Sequence, residues 1–173
     1  NKNIFNLHGK PLLVWSYLAA KKSNLFKKIY VSTESEEYIS ICKKNNIDFI
    51  KRPLSISNDK ALKQEVIVHA KEILTGRNEI YDQYMSLQAN SPDVTSNDLK
   101  KIVNRLEKFD RWEVVTVDKY LNQNGIARLM RNDIVDMKSL SAVLGVEIIE
   151  RSNIHTIEDI RKLEKIWEPN QEV

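Results

Sequence analysis

The chain has 173 residues, of which 42% are hydrophobic and 29% are charged, and its formal net charge is +3. This composition supplies enough apolar residues for one core and excludes an intrinsically disordered chain, so we expect a single domain over residues 1–173. Basic and acidic residues are interleaved along the whole length, which predicts no nucleic-acid partner and favours a small anionic ligand.

We also expect a cytoplasmic protein with no membrane partner. No apolar run approaches the roughly 20 residues that a membrane-spanning helix needs, and the first residues lack the pattern of a signal peptide. Cys42 is the single cysteine, so an intramolecular disulfide is excluded. Its position within a helical pattern is typical of a small buried residue in a reducing compartment.

The first half of the sequence predicts helices that alternate with strands. Pro11 suits the first turn of a helix, and runs rich in β-forming residues at 28–32 and 47–50 predict strands. Apolar residues at helical spacing predict three helices. These residues are Leu12, Trp15, Leu18 and Ala19, then Tyr38, Ile41 and Cys42, and then Leu62, Val66, Ala70, Ile73 and Leu74.

The second half continues this alternation. Residues 84–88 are interpreted as a central strand that leads into a polar loop, and further strands are predicted at 113–117, 126–130 and 146–150. The polar segment 118–125 is interpreted as a shortened excursion between two of these strands.

Capping signals mark the last two helices. Thr95 can accept a hydrogen bond from a backbone amide, and Asp98 suits the positive helix terminus. Thr156 caps the final helix, which Pro169 stops. The predicted apolar face of the Thr95 helix consists of Leu99, Ile102, Val103, Leu106 and Phe109.

Strands that alternate with amphipathic helices predict an α/β fold, a three-layer α/β/α sandwich with a mostly parallel sheet. Ligands bind such sheets beyond the carboxyl ends of the strands. The loops that follow Ser32 and Gln88 are therefore expected to line a ligand site.

The beginning of the chain has the pattern of the end of a phosphate-binding loop. Lys2 and Asn3 precede a helix that opens with proline, after Gly9 and Lys10. A nucleotide-binding α/β domain carries a strand and a glycine-rich turn just upstream of such a helix, where backbone N–H groups cradle phosphates. We expect this strand and glycine-rich loop to be missing from the sequence.

Short motifs along the chain occur in an order shared with one enzyme family. They are Lys2-Asn3, Gly9-Lys10-Pro11-Leu12, Val31 to Glu37, Arg52-Pro53, Leu87 to Pro92 and Asn124-Gly125. In this order they resemble the acylneuraminate cytidylyltransferases, which make CMP-activated sialic and related acidic sugars. The resemblance implies a Rossmann-like nucleotidyltransferase sandwich. It also implies an enzyme that transfers CMP from CTP to an acidic sugar with release of pyrophosphate. Mg²⁺ is the implied cofactor, and a homodimer is the implied assembly.

The resemblance also implies a nucleotide site. Lys2 and Asn3 match the end of the basic loop that holds the triphosphate, and Lys2 is the candidate catalytic residue because a lysine stabilises the charge developing on the transferred phosphate. Arg52 matches an arginine near the nucleotide, and Asp59 is assigned to this site as a substitute metal ligand. Without the resemblance, Lys2 would be interpreted as a solvated surface residue, and Arg52 would fit a surface arginine before Pro53 equally well.

A substrate site is implied by two further segments. Gln88, Asn90 and Ser91 match a strand-end loop whose amides and hydroxyls hold a sugar acid or the ribose. Their structural alternative is a polar turn before a capped helix. The run Gln123-Asn124-Gly125 matches a segment that faces the sugar, although a polar hairpin loop would have the same composition.

Two departures from the family pattern keep other functions open. Leu62 and Lys63 stand where the family has two small hydroxyl residues for the nucleotide, so another triphosphate such as UTP or GTP is an alternative. Asn153 and His155 replace an Asp-x-Asp pair that holds the metal, and an amide with an imidazole is a poor Mg²⁺ site. The metal ligands are therefore unknown, and a non-catalytic nucleotide-binding or nucleotide-sugar-binding protein is the second hypothesis.

Overall fold

The computed structural model describes residues 2–58 and 62–169, with only the backbone of Lys2 included. The strands are β1 (Asn6–Leu7), β2 (Lys10–Pro11), β3 (Tyr30–Thr33), β4 (Asp48–Lys51), β5 (Gln83–Leu87), β6 (Glu113–Val117), β7 (Gln123–Arg131) and β8 (Leu144–Ile148). The helices are α1 (Leu12–Ser23), α2 (Glu36–Lys44), α3 (Lys63–Gly76), α4 (Ser96–Lys108) and α5 (Ile157–Ile166). None of these described helices is long and apolar enough to cross a membrane.

The predicted α/β class is confirmed. Every predicted helix and strand is present, and most of their ends lie within two residues of the prediction. The short antiparallel pair formed by β1 and β2 was not predicted, because two-residue strands leave no periodic pattern in a sequence.

The main sheet is mixed, which corrects the mostly parallel sheet expected from the sequence. Its strand order is β5-β7-β6-β8, where β7 runs antiparallel to β5 and β6, and β6 runs parallel to β8. A hairpin over 118–122 joins β6 to β7, and so short a link makes its two strands antiparallel. Strands β3 and β4 form a separate parallel pair.

Strand β5 lies at an edge of the main sheet, so its prediction as a central strand is wrong. Among the described strands it pairs with β7 alone. All of its residues are nevertheless half-buried, because side chains packed on both faces of the sheet shield it from solvent. An apolar run in a sequence indicates that a strand is buried, but it does not indicate whether the strand has a hydrogen-bonded neighbour on each side.

Helices pack on both faces of the main sheet, as predicted. Leu129 and Met130 are neighbours in β7, and their side chains point to opposite faces. On one face, Leu129 packs in a cluster that α1 and α4 share with the sheet. On the other face, Met130 packs against Ile67 of α3 and against Ile134.

The buried stripe of α3 differs from the predicted one. Leu62 was predicted to be buried, but it caps the helix and is 63% exposed. Ile67 is buried instead, whereas Leu74 is buried as predicted. Several apolar stripes fit this sequence at helical spacing, and contact with Met130 selects the one that contains Ile67.

The predicted caps of α4 and α5 are confirmed. The Thr95 side chain accepts a hydrogen bond from the backbone N–H of Asp98, whose carboxylate accepts one in return from the backbone N–H of Thr95. Thr156 and Asp159 form the same reciprocal pair at the start of α5. Phe109, predicted on the apolar face of α4, lies at its C-cap and is 44% exposed.

Asp98 also fixes the segment that follows β8. Arg151 donates two hydrogen bonds to the Asp98 carboxylate, from Nε at 2.7 Å and from Nη2 at 3.0 Å. Burial alone would raise the pKa of Asp98, but the hydrogen bonds and charge of Arg151, together with the Thr95 backbone N–H, hold that pKa below its usual value. The ionised carboxylate therefore stabilises the fold.

Replacing Asp98 by asparagine is expected to lower the free energy of unfolding at pH 7 by roughly 3 kcal/mol, since it breaks a largely buried ion pair. Because the folded-state pKa is depressed, the contribution is complete above the unfolded-state pKa of about 4 and is lost as the pH falls through the folded-state value. Urea unfolding of both proteins between pH 7 and pH 2 should show the difference constant at high pH and shrinking below about pH 4.

Asp110→Asn is the matched control. Asp110 pairs with Arg131, but its side chain is 88% exposed. An exposed pair contributes less than about 1 kcal/mol, so this variant should unfold almost like the wild type at every pH. Equal losses in the two variants would contradict a special role for Asp98.

Candidate functional site

A cavity of about 400 Å³ opens at one rim of the main sheet. It lies beyond the carboxyl ends of β5, β6 and β8 and beside the first residues of the antiparallel strand β7. Its volume is in the range of small-ligand sites. The lining residues are Asn3, Lys63, Gln88, Ala89, Asn90, Asn124, Asn153 and His155.

Asn124 joins three parts of this rim through its side chain. Its Oδ1 accepts a hydrogen bond from Thr116 Oγ1 at 2.7 Å, and its Nδ2 donates one to the Ile149 carbonyl at 2.7 Å. Both ends of the amide are thus engaged within the fold. Asn124 lies in β7 and not in the polar hairpin loop that its sequence context also allowed, and it shapes the cavity wall.

Gly125 allows two side chains to approach the backbone of β7 closely. Its φ of +69° is a left-handed conformation that favours glycine. A Cβ atom at this position would lie 2.5 Å from Lys63 Nζ and 3.0 Å from Gln88 Nε2. The start of α3 and the end of β5 therefore meet over Gly125.

The two segments that follow β5 and β8 are hydrogen bonded to each other at Asn90. The Asn90 carbonyl accepts from the Ile154 N–H at 2.8 Å, and the Asn90 side chain donates to Asn153 Oδ1. This pairing brings Asn153 and His155 into the cavity wall.

The cavity does not fit a Mg²⁺ site built from protein carboxylates. The lining residues that the structure describes include neither aspartate nor glutamate. In the described parts of the chain, no group of three or more His, Cys, Asp and Glu residues could hold a metal ion. Mg²⁺ prefers oxygen ligands with negative charge, and the amides and imidazole here supply none.

Two amide groups in the cavity are available to a ligand. Asn3 Oδ1 is buried and has no hydrogen-bond partner among the described atoms. A buried acceptor without a partner is costly, so a donor on a bound ligand would stabilise it. The backbone of Gln88 is fixed by two hydrogen bonds: its N–H donates to the Ile126 carbonyl, and its carbonyl accepts from Ser16 Oγ. Its side-chain amide lies at the cavity surface.

Arg52 does not line this cavity. Its Nη2 lies 2.6 Å from Glu34 Oε2, and its Nε donates to Ser57 Oγ at 2.9 Å. Burial opposes ionisation of Glu34, but a backbone N–H and the Arg52 guanidinium hold its pKa below the usual value. In this conformation a carboxylate, not a nucleotide, balances the charge of Arg52.

The other predicted site residues lie in different surroundings. Ser91 is buried outside the cavity lining, and its Oγ has no partner among the described atoms. Gln123 is exposed at the start of β7. The Lys2 backbone belongs to the 3₁₀ turn Lys2–Ile4 beside Asn3, whereas its side chain and the whole of Asp59 lie outside the described residues.

The sequence did not identify Lys63 as a cavity residue. It was noted only as a departure from the family pattern, because a lysine at the start of an amphipathic helix is usually solvated. Its position beside Gly125, 62 residues later in the chain, depends on tertiary packing. Two signals pointed to this position. The family pattern has residues for the nucleotide there, and the strand-end rule places the segment after Gln88 near the helix that precedes β5.

Comparison with known proteins gives a consistent result. The sequence model of the family described as Cytidylyltransferase matches residues 1–166. An N-acylneuraminate cytidylyltransferase of Escherichia coli O18:K1:H7 is 35% identical over 115 residues, which are 66% of this chain and 26% of that protein. A pseudaminic acid cytidylyltransferase of Campylobacter jejuni is 36% identical over 110 residues, which are 62% of this chain and 46% of that protein.

The fold has solved counterparts as well. A CMP:2-keto-3-deoxy-manno-octonic acid synthetase, solved in complex with CTP, superposes with a TM-score of 0.75 at 12% identity and covers 95% of this chain and 90% of that one. At this identity the likeness concerns the fold alone. The chain spans less than half the length of the two curated relatives described above.

Replacing Gly125 by alanine is expected to lower the free energy of unfolding by about 1–3 kcal/mol, the usual cost of a left-handed backbone at a residue other than glycine. The new methyl group would also displace the flexible ends of Lys63 and Gln88 and so weaken binding of CTP, the nucleotide that the sequence resemblance implies. Urea unfolding and calorimetric CTP titration measure the two effects separately.

Gly9→Ala is the control, since Gly9 has a φ of +82° and no atom within 4 Å of its Cβ position. It should lose a similar amount of stability and bind CTP as the wild type does. The assignment of the cavity would be contradicted if Gly125→Ala left CTP affinity unchanged, or if Gly9→Ala reduced it equally.

Proposed function

The chain belongs to the cytidylyltransferase family, and from this premise we propose that it transfers CMP from CTP to an acidic sugar of the sialic acid type. The observation that carries the proposal is the family match over residues 1–166, which includes every described residue of the cavity lining. The relatives named for N-acylneuraminate and pseudaminic acid support a sugar acid of this kind as the acceptor class.

In the proposed reaction a sugar hydroxyl attacks the α-phosphorus of CTP. A new P–O bond forms to the sugar, the bond to the bridging oxygen breaks, and pyrophosphate leaves with that electron pair while the hydroxyl loses its proton. We assign the triphosphate to the Lys2-Asn3 side of the cavity and the sugar to Gln88 and Asn90. The Gln88 amide suits hydroxyl and N-acyl groups, and Asn90 contributes its side-chain oxygen, since its NH₂ group donates to Asn153. Preorganised donors at such a rim favour the transition state by positioning and charge stabilisation.

Mg²⁺ remains a proposed cofactor, but it is not assigned to protein carboxylates. Because the described cavity lining holds no carboxylate, we propose that the ion enters bound to the triphosphate. No residue of the described chain is assigned as its ligand.

A non-catalytic member of the fold is the second candidate function. The observation that favours it is the presence of Asn153 and His155 in the cavity wall, whose described lining includes no carboxylate side chain. Such a protein would bind a nucleotide or a nucleotide-sugar without turnover. Binding assays would then show which nucleotide or nucleotide-sugar the protein prefers, whereas product assays would show no reaction.

Incubation with CTP and either N-acetylneuraminic acid or pseudaminic acid is expected to release pyrophosphate and form the CMP-sugar. Among CTP, UTP, GTP and ATP, CTP should raise the thermal midpoint most, because a ligand that binds the folded state stabilises it by mass action. Binding without any product would contradict the proposed enzyme and favour the second candidate. An equal response to all four triphosphates would contradict the choice of CTP.

Gln88→Ala should lower kcat/KM for the sugar acid by about tenfold, the usual effect of losing one neutral hydrogen bond. Gln83→Ala is the matched control, because Gln83 lies at the opposite end of the same strand. The sugar subsite would be misplaced if the two variants lost activity equally.

We further propose that the protein is a cytoplasmic homodimer. Cys42 is buried and free, which supports a reducing compartment. Strand β8 forms an edge of the main sheet, and its Val146 and Ile148 are 41% and 54% exposed. Glu147 instead pairs with Arg105 of α4, so the apolar side chains face away from that helix. An exposed apolar edge strand favours association with a second copy.

Sedimentation velocity is expected to give a mass of about twice 20.2 kDa, because burial of Val146 against a second copy is favourable. Val146→Lys should shift the protein toward monomer. Ile80→Lys, at a residue outside β8 that is 69% exposed, is the control and should leave the mass unchanged. A monomer at every concentration would contradict the proposed dimer.

A further inference from the structure

Lys63 brings a positive charge into the cavity. It is the first residue of α3, and its Nζ lies next to Gly125 in β7 and near the Gln88 amide. The rest of the described lining consists of neutral amides, Ala89 and His155. Lys63 is therefore the only lysine or arginine in that lining.

The position of Lys63 is fixed by its neighbour Gln64. Arg128 Nη1 in β7 donates to Gln64 Oε1 at 2.6 Å, and the Gln64 amide donates to the Val135 carbonyl. Arg128 is held in turn by Glu113, whose side chain is fully buried. These contacts hold the first turn of α3 against the sheet, so Lys63 remains at the cavity.

Helix stability does not explain a lysine at this position. The first turn of a helix carries partial positive charge, which disfavours a cation there. Glu65 supplies the negative charge that favours this turn, as Asp98 and Asp159 do in α4 and α5, and Lys63 adds nothing to that cap. Both proposed substrates are anions, and their oxygens would gain from a charge-assisted hydrogen bond in this cavity.

We propose that the Lys63 ammonium binds an oxyanion of the substrate pair, either the carboxylate of the sugar acid or a phosphate oxygen of CTP. This inference rests on the proposed function, because it takes the cavity to be the site of both substrates. It assigns a role in substrate binding to a residue at which the chain departs from the family pattern.

The experiment compares wild type, Lys63→Gln and Lys63→Arg by calorimetric titration with CTP, pyrophosphate, N-acetylneuraminic acid, pseudaminic acid and the methyl esters of both acids. Loss of a charge-assisted hydrogen bond should weaken one class of anion by about 10- to 100-fold in Lys63→Gln. Lys63→Arg keeps the charge and should bind within a few-fold of wild type. Lys101→Gln, on exposed α4 surface outside the cavity, is the control and should match wild type.

The ligands distinguish the two sources of the oxyanion. Weaker binding of a free acid, with its ester unaffected, identifies the carboxylate as the partner of Lys63. Weaker binding of CTP and pyrophosphate identifies a phosphate. Thermal unfolding of each variant verifies that the fold is intact.

The inference is overturned if Lys63→Gln binds every ligand with wild-type affinity. It is also overturned if the wild type binds none of these anions. Failure of the proposed function has a different signature, in which the wild type binds CTP or a sugar acid but forms no product. In that case the titrations still decide the role of Lys63.

Discussion

The ion pair between Glu113 and Arg128 is the interaction on which the site depends. Glu113 is fully buried, and a buried carboxylate is tolerated only when it is paired and hydrogen bonded. Arg128 meets that requirement and also holds Gln64 at the start of α3. Through this chain of contacts β6 and β7 determine where α3 begins. The cavity exists because that helix start lies over Gly125, beside the end of β5.

Much of the fold could be predicted from the sequence, because helix caps and apolar periodicity are local signals. Thr95 and Thr156 begin their helices as predicted. The predictions were wrong where tertiary contacts determine the strand directions or the buried face of a helix. The hairpin between β6 and β7 makes the sheet mixed, and packing against Met130 sets the buried stripe of α3, which leaves Leu62 exposed.

The site was predictable only in part. Gln88 and Asn90 follow a strand, so the strand-end rule and the family resemblance both indicated them, and both line the cavity. The family pattern placed Lys63 at a nucleotide position, but its neighbours there come from β5 and β7 and could not be predicted. Arg52 matched a family arginine by position alone, and sequence gave no sign that Glu34 would pair with it.

The location of the bound nucleotide tests the central claim most directly. A crystal structure of the protein with CTP should show the triphosphate and ribose in the cavity between Asn3, Lys63 and Gln88. A smaller cavity of about 300 Å³ lies at the opposite end of β5, beside Asp82 and Asp133. Density for CTP there, or on any surface outside the cavity that Asn3 lines, would contradict the account.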